Sequence, residues 1–262
     1  MKNSFLASWI ILSRPLTLLS ASGAAALFAV ALTAGTFITA ARPGGSRLSD
    51  PPLLVADMGA ANVPGNLVGR LAMVLGAVAL SVCAASIATE FTSGTVRHQL
   101  IRLPSRARWL AGRALALAVL VVAVSALATA TVLASAYVAA AAWGVPTDGW
   151  ATAAGLRATL RAAGGVQAST LGFAAIGAGL ALLLRSSIAA IGFGLVYGLF
   201  ESLLAAIVPG AAKILPGQVL AAVATGGSDE LSFSQAVLRA TAFVVAVYLT
   251  AAVVFLRRDI TE

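Results

Sequence analysis

Charge is what this chain has least of. Only 10% of its 262 residues are Asp, Glu, Lys or Arg, where a soluble domain carries roughly a quarter. Hydrophobic residues make up 60%, and the mean hydropathy is +0.98. That excludes an ordinary soluble domain and sets the class as integral membrane protein. Cysteine is scarce too: Cys83 stands alone, so no intramolecular disulfide can form. A single histidine, His98, cannot build a multi-histidine metal site. Lysine occurs only as Lys2 and Lys213, neither within a GxxxxGK[ST] pattern, so no P-loop for ATP is present. There is no GxSxG elbow, and the acids are too scattered for a paired-carboxylate site. These absences point away from an enzyme and predict no metal and no bound cofactor.

What fills the chain instead is long uncharged sequence. Thr17–Ala41 contains no charge and is too long for the core of a signal peptide, so it reads as an uncleaved first span. Further uncharged runs occupy Leu71–Thr89, Ala114–Thr147, Ala162–Leu184 and Ala240–Leu256, with Ser186–Ala212 interrupted only by Glu201. The runs are continuous rather than alternating, which excludes barrel strands and predicts helices. The expected fold is an all-α integral membrane protein forming a single transmembrane domain over 1–262. Its six transmembrane helices fall at about 17–41, 68–89, 114–143, 162–184, 187–208 and 237–256.

Orientation follows from the basic residues. With the N-terminus inside, the inner segments hold ten of the 17 basic residues against three acids, and the outer segments hold seven against five. Both termini are therefore expected in the cytoplasm. Residues 1–15 place Phe5, Leu6, Trp9 and Ile10 on one helical face, as in an interfacial helix lying along the membrane. Residues 42–66 and 209–235 are expected as outer loops, the first with little regular structure and the second bending back at the surface around Pro209 and Leu215-Pro216-Gly217. Gly155–Arg161 suggests a short interfacial turn with Arg157 and Arg161 facing headgroups. Trp9, Trp109, Trp143 and Trp150 sit near span ends, where the headgroup region attracts the indole ring. The glycines of the fourth and fifth spans, including the Gly194–Gly198 pair, read as ordinary close packing.

Two features carry a functional reading. The first is Glu90–Arg113, EFTSGTVRHQLIRLPSRARWLAGR, the one long inner loop, with five arginines and the only histidine. A short, basic, amphipathic helix here suits docking of a soluble partner. In a helix starting at Thr95, Val96, Leu100 and Leu103 form a stripe while His98, Gln99 and Arg102 face elsewhere. Gly94 permits the entry turn, Thr95 caps the helix and Pro104 ends it. Glu90 is placed to pair with a nearby arginine and fix the angle of the loop. For Arg106, Arg108 and Arg113, simple retention on the inner side explains the charge equally well. The second feature is Glu201, an ionisable group inside a span. It is either a substrate contact, a proton site or a conformational lock, or else a carboxylate satisfied at a helix contact, and the last is the commoner case.

Glu90-Phe-Thr-Ser-Gly-Thr-Val-Arg, then Leu103-Pro-Ser-Arg, then Ala111-Gly-Arg113 resemble the E-[FY]-x-x-G-T-[IV]-R … P-[VS]-[SR]-R … G-K signature of type-2 ATP-binding-cassette (ABC) exporter permeases. Leu183-Leu-Arg-Ser-Ser, Leu215-Pro-Gly-Gln and the ending Phe255-Leu-Arg-Arg-Asp-Ile are similar to the small six-span bacterial members, so the likeness runs along the whole chain. Arg113 replaces a common lysine and Phe91 a common tyrosine. The resemblance implies a cytoplasmic coupling helix between spans two and three that contacts an ATPase subunit through Glu90, Gly94, Thr95, Val96, Arg97, His98, Gln99, Leu100, Arg102, Pro104 and Arg106. It also implies ATP and magnesium on that partner, a second permease subunit, and a bacterial cell membrane location. The substrate is not legible; a nearly uncharged pathway favours a hydrophobic or amphiphilic compound. Two other classes compete: a membrane anchor recruiting a cytoplasmic partner through the same loop, and a proton-coupled secondary transporter using Glu201.

Overall fold

The computed structural model describes residues 2–12, 15–42, 54–92, 105–184, 186–228 and 230–257. They form a helical bundle. Helix α1 (Lys2–Leu12) is followed by α2 (Pro15–Ala40), which opens on a proline, the residue best suited to a first helical position. A 3₁₀ turn (Val55–Gly59) and the short α3 (Val63–Gly69) lead into α4 (Leu71–Thr92). Then come α5 (Arg106–Trp143), α6 (Ala153–Leu184), α7 (Ser187–Ile207), the short α8 (Pro216–Thr225) and α9 (Phe233–Arg257). Two-residue strands β1 (Gly227–Ser228) and β2 (Leu231–Ser232) pair antiparallel between α8 and α9.

Five helical stretches among the described residues are long and apolar enough to cross a membrane: Leu19–Ala40, Val63–Thr92, Arg106–Trp143, Ala153–Leu184 and Phe233–Phe255. With nothing but helices at that length, the chain is an all-α, multi-pass membrane protein. Helix α6 is the centre of the bundle, packing against α3, α4, α5, α7, α8 and α9, while α2 lies on α5. The tightest approach is α6 to α4. A side chain at Gly177 would run into the backbone of Leu80, so only glycine lets these two helices meet there.

Apolar packing divides between two ends. At one end Leu12, Ile87, Trp109, Leu182, Ala190 and Phe255 share a core. At the other, Phe37, Met58, Leu71, Val132, Trp150 and Val166 share a second. Helices α4, α5 and α6 contribute to both cores and so run alternately between them, a third cluster joins α8 to the start of α9, and α1, the start of α5 and the end of α9 meet at the first.

Several boundaries differ from the sequence expectation. Helix α5 begins at Arg106 rather than near 114, and α6 at Ala153 rather than 162, taking in the segment Gly155–Arg161 that reads as a turn. Charge ends an uncharged run but does not end a helix, because arginine is a good helix former whose long stem lets its charge reach water. Residues 54–66 are not an irregular loop. The indole of Trp150 is buried and its Nε1 donates to the Met58 carbonyl at 3.0 Å, while Tyr137 packs edge-on at 5.1 Å. Trp109 is likewise buried, so two of the four tryptophans serve the core rather than the headgroup region. Trp143 is exposed and Trp9 half-buried.

Candidate functional site

The candidate site is the end of the bundle where α4 and α5 frame residues 93–104. Gly94, Thr95, Val96, Arg97, His98, Gln99, Leu100, Arg102 and Pro104 lie outside the described residues; the two helix ends that hold them are described. Helix α4 runs on to Thr92 and α5 starts at Arg106, so both ends of the charged segment Glu90–Arg113 are helical. Ser105 is the N-cap of α5: its backbone is extended and its Oγ accepts from the Arg108 amide at 3.4 Å.

The two helix ends are joined by a buried ion pair. Arg113 Nη2 lies 2.8 Å from Glu90 Oε1, with the two side chains 1% and 8% exposed. The same nitrogen donates to Ser86 Oγ at 2.6 Å and to the Ser86 carbonyl at 3.1 Å. Ser86 and Glu90 are one helical turn apart and so face Arg113 together. Among the described residues, Nε and Nη1 of Arg113 find no hydrogen-bond partner. Removing one partner of such a pair is far more damaging than replacing both, because a lone charge is then left in an apolar interior.

Beside the pair sits an aromatic cluster. Trp109, one turn before Arg113, stacks on Phe255 of α9 with ring centroids 5.4 Å apart, and Phe91 meets the same Phe255 edge-on at 6.0 Å. Phe5 and Trp9 of α1, themselves stacked at 6.0 Å, pack on this core together with the buried Leu12. Leu6 and Ile10, expected on the same face as Phe5 and Trp9, are exposed, because only the Phe5–Trp9 edge of that face packs on the bundle. The segments before and after residues 93–104 are thus fastened to each other, to the end of α9 and to α1.

This geometry sorts the predicted residues. Glu90 is paired with arginine and buried, at the end of α4 that precedes residues 93–104. Arg113 is that arginine, which removes it from the set explained by charge retention alone. Arg106 is partly exposed and Arg108 exposed, in the first turn of α5. Ser86, Ser105 and the Trp109–Phe255 stack were not singled out by sequence. The spacing of Ser86 four residues before Glu90, and of a serine directly after Leu103-Pro104, were the available signals.

Glu201 lies apart from this end. It is 3% exposed, and its Oε1 accepts from the Gln218 amide at 2.9 Å at the start of α8. No group of three or more metal-ligating side chains occurs among the described residues. The family described as "Protein of unknown function (DUF2705)" matches residues 65–261, three-quarters of the chain, and the chain belongs to that family. No curated protein matches it.

Proposed function

We propose that this DUF2705 member is the membrane-spanning permease subunit of an ABC exporter, without an ATPase site of its own. In this reading α7 is the sixth span, both termini face the cytoplasm of a bacterial cell, and residues 93–104 hold the coupling helix. That helix sits on a separate nucleotide-binding subunit, which carries the ATP and magnesium. A second permease subunit completes the pathway for a hydrophobic or amphiphilic substrate.

The observation that supports it most is the buried Glu90–Arg113 pair with its aromatic surround. A loop that only connected two spans would need no such fastening. A loop that transmits force does, because displacement of the loop must become displacement of α4 and α5 rather than local bending. Closure of two ATPase subunits would push residues 93–104, and the pair would pass that movement into the bundle. The competing proton-coupled reading is weakened by the engagement of Glu201 with the α8 amides.

The test is an export assay on chains with altered loops. Gly94→Ile, which blocks the entry turn, and Arg102→Glu, which reverses a loop charge, are expected to abolish transport while insertion into the membrane stays normal. Normal export by both variants would remove the coupling role.

A further inference from the structure

Helix α8 is unusual in where it begins. A helix leaves its first amides without intrahelical acceptors, and in a membrane interior no water replaces them. The α8 start lies against Glu201, fourteen residues into α7 and so about 21 Å along it. Pro216, at the first helical position, has no amide to satisfy. The next two amides belong to Gly217 and Gln218. The Glu201 carboxylate lies on both residues: Oε1 takes the Gln218 amide at 2.9 Å, and Oε2 comes so near Gly217 that a Cβ there would lie only 2.8 Å from it. Glycine at 217 is what admits the carboxylate, and the positive end of the helix dipole favours its charge.

The rest of α8 forms a wall. Leu220 and Val223 line an apolar groove of about 260 Å³ whose other sides are Leu171 and Gly172 of α6 and Val237 and Val244 of α9. Among the described residues, α8 packs on α6 and α9 chiefly through apolar side chains. Glu201 adds the hydrogen bond that joins α7 to the start of α8.

We propose that Glu201 is a latch: a positioning residue that caps the buried start of α8 from the neighbouring span, holds α8 against α7, and thereby keeps the α8 wall of the groove between α6 and α9 in place. This assigns the intramembrane carboxylate a conformational role rather than a substrate or proton site, and it stands independently of the transport reading.

Hydrogen exchange read by mass spectrometry on the full chain in lipid nanodiscs tests it. Loss of a charge-assisted hydrogen bond corresponds to a factor of about 10 to 100 in an opening equilibrium. Glu201→Ala is accordingly expected to speed exchange across 217–225 by at least tenfold, with the peptides covering 86–92 and 106–113 unchanged. Gly217→Ala, which pushes the carboxylate away while leaving it in the chain, is expected to act the same way. Glu201→Gln, which retains one acceptor oxygen, should recover most of the protection. Should Glu201→Ala fail to fold, the Gly217→Ala and Glu201→Gln pair decides. Unchanged α8 exchange, or equal acceleration along the whole chain, would overturn the latch.

Discussion

Replacing Glu90 with methionine keeps much of the side-chain volume and leaves Arg113 buried at 1% exposure with its carboxylate gone. Breaking a buried pair in this way costs about 3–5 kcal/mol, whereas exchanging both members for apolar residues is neutral or stabilising by about 1–4 kcal/mol. Cys83 is a built-in reporter: it is the only cysteine, 1% exposed, and belongs to the same core as Ile87 and Trp109. A thiol-reactive dye labels it only when that core opens. Under conditions where labelling follows the open population, Glu90→Met should accelerate it by roughly two to three and a half orders of magnitude. Arg113→Met, which removes the other member of the pair, should accelerate labelling as well. The double variant Glu90→Met/Arg113→Met should return to the wild-type rate or below it. Labelling no faster in Glu90→Met, or a double variant as fast as the sum of the singles, would refute the argument that the two charges depend on one another.

Other outcomes follow from the packing. Gly177→Val forces a side chain into the Leu80 backbone, so α4 and α6 must separate; about 3 kcal/mol or more of stability should be lost, visible in the same Cys83 labelling assay. Trp150→Phe keeps the ring against Tyr137 but orphans the buried Met58 carbonyl, and about 1–3 kcal/mol should go with it. The loss should be read as a lower midpoint in thermal unfolding, with the Glu90–Arg113 end still protected from hydrogen exchange.

Hydrophobic runs made the membrane class and the approximate positions of the long helices legible, since twenty or so uncharged residues have few other uses. Their ends were less so. Arg113 and Arg161 close uncharged runs, and Arg106, Arg108 and Arg157 stand further out, yet all five lie inside α5 and α6, because the rule that detects a span counts charge while the rule that ends a helix concerns caps and backbone. Glu90 was legible as one half of a pair, but its partner was not: Arg97, Arg102, Arg106, Arg108 and Arg113 were all candidates, and only the antiparallel packing of α4 and α5 selects Arg113. The engagement of Glu201 depended on α8, whose short apolar stretch after Pro216 resembles a surface bend until it is seen folding back to meet α7. Trp109 and Trp150 show the same limit from the other side. An aromatic residue near a span end carries no mark that tells a headgroup anchor from a core ring.

The central claim is that residues 93–104 couple this bundle to an ATPase, and the most direct measurement is of the complex itself. The tagged chain should be isolated from its native host in mild detergent, with mass spectrometry of whatever accompanies it and an assay of ATP hydrolysis. A stoichiometric P-loop ATPase that is lost when Val96–Arg102 is altered, while the Glu90–Arg113 end stays folded, is the predicted result. A clean preparation with no ATPase, or one whose ATPase remains bound after that alteration, would contradict the account.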